Sequence, residues 1–180
     1  MSEQYRQLTA ADAPEYLALM RAAYAPIRAL GIHFDAAETN LSLVTRHLGE
    51  HGVYGLYDSG ALISSLTLRY PWGPLPGPFG LPHIGWLGAH PDFRGQNKGK
   101  RILDWVERHI LREQLRAPAV SLGTAINHPW LKTMYLKRGF IPQHEEDLGK
   151  GHITLFMKKI LDEESHARWL QRHYPAHSPA

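Results

Sequence analysis

Hydrophobic positions in the first quarter of the chain recur at helical spacing. Leu17, Met20, Tyr24 and Ile27 follow one another at intervals of three or four, as do Leu41, Val44 and Leu48. Each set predicts one amphipathic helix. Asp12-Ala-Pro-Glu15 is expected to open the first, with Asp12 as N-cap, Pro14 in the first turn and Glu15 reaching back. Asp35-Ala-Ala-Glu38 is expected to open the second. A short strand from Tyr5 to Thr9 precedes both helices, and Gly31-Ile-His-Phe34 lies in the loop between them.

The period then shortens to two. Val53 to Tyr57 and Leu62 to Tyr70 read as strands joined by a turn at Asp58-Ser-Gly60. In the second run, Leu62, Leu66 and Leu68 are expected on one face, with Ser65, Thr67 and Arg69 on the other. Pro71 to Pro82 holds five prolines in twelve positions, which gives a stiff loop. That loop reads equally as a hairpin connection or as the wall of a binding site.

Downstream, Ile84 to Ala89 reads as a buried strand. A helix follows from about Lys98 to Arg112, turning Leu103, Val106 and Ile110 inward. Ala119 to Thr124 predicts another strand and Pro129 to Lys137 another helix. Strands at Phe140 to Gln143 and His152 to Met157 complete the pattern. This order predicts one mixed α/β domain over residues 1–160, then a helical extension and flexible tail over 161–180. Pro175 to Ala180 is expected to be disordered.

Composition narrows the picture. A chain of 180 residues, 43% hydrophobic and 21% charged, is large enough to close a core unaided. It has no cysteine, which rules out disulfides, thiolate metal sites and a cysteine nucleophile. Its net charge of +3 is too small to argue for nucleic acid. No apolar h-region opens the chain and no run matches a membrane span, so a cytoplasmic location without a membrane partner is expected.

The most informative chemistry lies in Gly88-Ala-His-Pro-Asp-Phe-Arg-Gly-Gln-Asn-Lys-Gly-Lys-Arg-Ile-Leu103. A strand passes through a small-residue loop into the first turn of a basic helix. Free N–H groups and the helix dipole make an anion site there, and a pyrophosphate is its natural ligand. Lys98, Lys100 and Arg101 are expected to add positive charge. Neither the Rossmann glycine pattern nor a Walker loop is present.

Arg94-Gly-Gln-Asn-Lys-Gly99 resembles the acetyl-coenzyme A loop of the GNAT superfamily of N-acetyltransferases. Asn97 stands where that family's first glycine is usual, and Asn tolerates positive φ better than other non-glycine residues. Asn127-His-Pro-Trp-Leu-Lys-Thr-Met-Tyr-Leu-Lys-Arg-Gly-Phe140 resembles a second block of the same family, with one extra residue before Tyr135 and a bulky Leu131. The resemblance covers roughly Tyr5 to Lys159.

It implies a mostly antiparallel central sheet, flanked by helices and splayed between the fourth and fifth strands. It also implies acetyl transfer from acetyl-CoA, as co-substrate and without a metal, to the amine of a small molecule by direct attack. Cofactor contacts would come from Leu87, Gly88, Ala89, Arg94, Gly95, Gln96, Asn97, Lys98, Gly99, Lys100, Arg101 and Asn127. Tyr135 matches the family's general acid, its phenol protonated at neutral pH. A homodimer is a further implication.

No glutamate lies on the strand Ile84 to Ala89, so the base is sought among its neighbours. His83 and His90 bracket the strand and titrate near neutrality, and His83, adjoining the proline loop, is preferred. Trp72 and Phe79 of that loop are candidate acceptor contacts, with His33 and Phe34 as the alternative location. His47 and His51 have a metal-compatible spacing but no third ligand. His166, His173 and His177 read as solvent-exposed. A protein or peptide acetyltransferase and a non-catalytic CoA-binding module are the competing readings.

Overall fold

Residues 2–93, 95–128 and 130–175 are described by a computed structural model. β1 (Glu3–Gln7) leads through a 3-10 turn, Ala10–Asp12, into α1 (Ala13–Arg28). Another such turn, Asp35–Glu38, precedes α2 (Leu41–Glu50). β2 (Gly52–Asp58) and β3 (Ala61–Arg69) form a hairpin whose turn residues, Ser59 and Gly60, both have positive φ, at 52° and 84°. Positive φ at both turn positions matches the twist of the flanking strands.

The proline loop then leads to β4 (His83–Ala89), and α3 (Lys98–Trp105) continues as a π-helical stretch, Val106–Gln114. β5 (Ala119–Ala125), α4 (Leu131–Lys137), β6 (Ile141–Asp147), β7 (Ile153–Ile160) and α5 (Glu163–His173) complete the chain. The strands build one seven-stranded sheet in the order β1-β2-β3-β4-β5-β7-β6. Only β4 and β5 run parallel.

Alternation along β2 shows how the layers form. Val53 and Tyr57 join α1 and α2 on one face, while Tyr54 and Leu56 join α3 and its extension on the other. The sheet is thus the middle of three layers. A third, smaller cluster packs Trp169 of α5 against Leu81 and Ala119. His166 is buried beside it, contrary to expectation, whereas His173 is exposed, its Nδ1 3.0 Å from the Trp169 carbonyl. No helix among the described residues is long and apolar enough to cross a membrane.

Several boundaries differ from the sequence pattern, each for a local reason. Asp12 is the N-cap of α1 and Pro14 lies in its first turn, but the Asp12 carboxylate accepts from Thr9 N at 2.8 Å and pairs with Arg6 instead of capping α1. Glu15 does not reach back; it accepts from Leu62 N at 2.9 Å and ties α1 to β3. Asn40, not Asp35, caps α2, accepting from Leu43 N at 3.0 Å.

Leu62 faces α1 and α2, whereas Leu66 and Leu68 face α3. An extra β3 residue between the pairs Tyr57↔Leu62 and Leu56↔Ser64 inverts the alternation. β6 extends to Asp147 and β7 to Ile160, four and three residues past the expected ends. The expected helix start at Pro129 and all but the first residue of the expected tail fall outside the described residues.

Candidate active site

The site grows from an interruption in the sheet. β4 pairs with β5 at His83↔Ser121 and Ile84↔Leu122 and no further. Beyond those two pairs the strands diverge, leaving Gly85–Ala89 without a partner on the β5 side. The other edge of β4 is irregular too. Thr67 opposes Gly85 and Ser65 opposes Gly88, so Trp86 and Leu87 together face one β3 residue. Trp86 takes φ +49° at this bulge, a left-handed conformation that costs a non-glycine residue energy.

Packing holds the bulge in place. A Cβ on Gly88 would lie 3.0 Å from that of Ala23, so the glycine lets α1 approach β4. Tyr24 of α1 donates from its hydroxyl to the Leu87 carbonyl at 2.7 Å. The Trp86 indole stacks on His47, with centroids 3.9 Å apart, and His47 Nε2 lies 2.8 Å from Thr67 Oγ1. His47 and His51 are therefore packing elements of this wall.

Where the strands part lies a cleft of about 360 Å³. Of the sequence candidates it brings together Tyr135, His83, Phe34 and Leu87. Pro76 and Pro78 supply part of its wall, so the stiff loop contributes prolines rather than aromatic rings. Gly77 lies so close to His83 that a Cβ there would sit 2.6 Å from the His83 side chain. Trp72, Phe79, His33 and Asn127 do not line the cleft. Trp72 is 71% exposed and stacks on Tyr70 at 5.0 Å, while Phe79 packs edge-on against Phe156 at 6.1 Å. His33 lies 3.3 Å from Glu38, and Asn127 is exposed in the turn after β5. His90 lies outside the cleft as well, its Nδ1 accepting from Asp92 N at 3.2 Å.

Next to the cleft, the β4–α3 connection has the shape expected of an anion loop. Gly95 has φ +83°, and Asn97, the N-cap of α3, sits at φ +58°, ψ +29°. Ser64 Oγ donates to the Lys98 carbonyl at 3.0 Å, fixing the helix start on β3. The charges differ from expectation. Lys98 Nζ pairs with Glu3 at 2.9 Å and Asp58 at 3.4 Å, and Arg101 also pairs with Glu3. Of the three cations, only Lys100 has no ion-pair partner among the described residues. Arg94 lies outside the described residues.

The cleft also holds residues that the sequence pattern did not single out as functional: Tyr24, Arg69, Thr124, Glu146, Lys150 and His152. Tyr24 had read as core, and Arg69 as the polar face of a strand. A signal for Arg69 existed in the β3–β4 pairing, because it stands directly opposite His83.

Burial governs the ionisation of this region. It pushes the His83 imidazole down to about 3, and the nearby Arg69 charge adds to the effect. Its Nδ1 lies 2.8 Å from Ser121 Oγ. His83 is therefore neutral at physiological pH instead of titrating near neutrality. Burial also lowers His47 to about 3, with His51 and Arg69 contributing, and His128 to about 4. Tyr135, 4% exposed and packed against Phe140, is held above the ordinary phenol value by burial.

These three histidines make the fold acid-sensitive. Their folded values lie below 6.5, so the unfolded chain binds protons that the folded form refuses. Their contribution is complete above pH 6.5 and is lost as pH falls towards 3. Urea unfolding at pH 5.5 should show stability lower than at pH 7.5, by roughly 1 kcal/mol per histidine. Equal stabilities at the two values would contradict the burial assigned to these rings.

Comparison with known proteins agrees with this architecture. Residues 17–140 match the profile of the Acetyltransferase (GNAT) family. The S-(2-succino)cysteine N-acetyltransferase of Bacillus subtilis (strain 168) is 47% identical over 161 residues, 89% of this chain and 98% of that protein. The S-alkylcysteine N-acetyltransferase of the same organism is 37% identical, covering 87% and 88%. Among solved structures, the PaiA N-acetyltransferase from Thermoplasma acidophilum, in complex with coenzyme A, superposes with a TM-score of 0.70 at 17% identity, over 89% of this chain and 99% of that one. With the family profile spanning most of the chain and the split sheet in place, the protein belongs to the GNAT family of acetyltransferases.

Proposed function

We propose that this acetyltransferase moves the acetyl group of acetyl-CoA to the α-amine of an S-substituted cysteine. The observation that carries the acceptor is the 47% identity, over nearly the whole of both chains, to an enzyme named for such a substrate. A cleft walled by prolines and α-helix supports a small molecule over a protein segment.

The chain's own geometry fits the cofactor. The unpaired β4 edge, Gly85–Ala89, offers backbone groups for the pantetheine amides. Gly95 to Gly99 and the first amides of α3 take the pyrophosphate. A Cβ on Gly99 would meet only the Ala89 Cβ, at 3.8 Å, so the space beside this glycine is free for a phosphate. When bound, acetyl-CoA supplies an activated thioester carbonyl, and its coenzyme leaves as a thiolate.

Tyr135 makes no side-chain hydrogen bond among the described residues, leaving its hydroxyl free to protonate that sulfur. The buried site that raises the phenol also makes a thiolate more basic, so the transfer stays matched. His83 cannot take a proton from an ammonium ion that ionises at roughly 8. The amine therefore enters neutral, and the proton that nitrogen sheds as the C–N bond forms passes to solvent rather than to His83.

Thiol release should be fastest with S-substituted cysteines in a panel that also contains polyamines and amino sugars. A higher kcat/KM for spermidine or glucosamine would overturn the acceptor. Gly99→Val should weaken acetyl-CoA binding at least tenfold while the melting temperature changes little, because only a phosphate competes for that space. Unchanged affinity would place the pyrophosphate elsewhere. Tyr135→Phe should lower kcat by roughly 10²-fold with acetyl-CoA affinity retained. Wild-type turnover, measured where chemistry limits the rate, would reduce Tyr135 to a packing residue.

A further inference from the structure

Arg69 ends β3 and stands opposite His83 on β4, so the two side chains share a face of the sheet. Arg69 is one of the residues that line the cleft. Nε is buried and has no hydrogen-bond partner, and no carboxylate approaches within ion-pair distance among the described residues. The one carboxylate whose charge it feels is Asp35, which is paired to Lys150 at 3.0 Å. Burial, with the Arg69 charge adding to it, lowers His47, His51 and His83, so these imidazoles give Arg69 no counter-charge.

A half-buried guanidinium without an anion is costly to the folded state. Five N–H donors in a rigid fork also match the paired oxygens of a carboxylate. We infer that Arg69 is an acceptor-specificity residue whose guanidinium takes a carboxylate of the acceptor. This rests on the acceptor class proposed above. Two carboxylates are available on such an acceptor: the α-carboxylate and one carried by the S-substituent. Arg69 faces the first residue of β4, whereas Leu87 lies four residues along it, roughly 13 Å at ordinary strand rise. With the amine at the Leu87 end, that separation favours the carboxylate on the S-substituent, which lies several bonds farther from the amine.

Arg69→Met removes the charge and keeps most of the stem. The ratio of kcat/KM for S-(2-succino)cysteine to that for S-methylcysteine should fall on the order of 100-fold, through KM. A KM rise of that size for both acceptors would also support the inference and assign the guanidinium to the α-carboxylate. The melting temperature should rise, since an uncompensated charge has gone. Unchanged acceptor KM values, or a lower melting temperature with a uniform loss of kcat, would overturn the inference and make Arg69 structural.

If the wild type acetylates neither cysteine derivative, the acceptor class has failed, and Arg69 is still testable. Calorimetric titration with succinate should then show binding to the wild type that Arg69→Met lacks. Equal binding to both would overturn the inference.

Discussion

Everything in this protein follows from the short pairing of β4 with β5. Two residue pairs join the halves of the sheet, and each half is otherwise complete through antiparallel ladders. Backbone groups on a strand edge need partners, so a split of this kind is stable only where something else can meet them. The bulge at Trp86 and Leu87 bends β4 away, and α1, through Tyr24 and the contact allowed by Gly88, holds it there. The core on either side is continuous enough to keep the gap from closing.

The electrostatics around the gap are uneven. At the α3 end, Glu3 binds two of the three cations that open the helix, leaving backbone dipoles as the main attraction for an anion. At the β3 end, Arg69 meets three neutral imidazoles. One pole of the cleft is thus nearly balanced by the protein itself, and the other is left for a ligand to balance.

How far this was legible from sequence differs from element to element. Helical and period-two spacing located every strand and helix, because burial on one face imposes those periods. Asn97 stands where the family resemblance expects a glycine, and it adopts the left-handed conformation that Asn tolerates. Helix starts were less legible, since Asp12 and Asp35 look like caps but one carboxylate is taken by Arg6 and the other by Lys150. Arg69 was placed with Ser65 and Thr67 opposite the leucine face, with no sign that this face is buried too. β3 is central, buried on both faces, and its bulge shifts the phase part-way along. Such partners are non-local, and no window of sequence contains them. The split between β4 and β5 came from family resemblance, not from any pattern of residues.

The docking of α5 bears on how the protein is made. Trp169 packs against Leu81, at the inner end of the proline loop, and against Ala119, at the start of β5. The loop therefore depends on a helix that follows β4 and β5 in the chain. Long-range contacts of this kind form late and slowly. A nascent chain can assemble the sheet and the α1 side first, yet the wall that carries Pro76, Pro78 and the back of His83 stays unbraced until α5 has been made. Loss of α5 would therefore remove a brace from the cleft wall while leaving all seven strands in the chain.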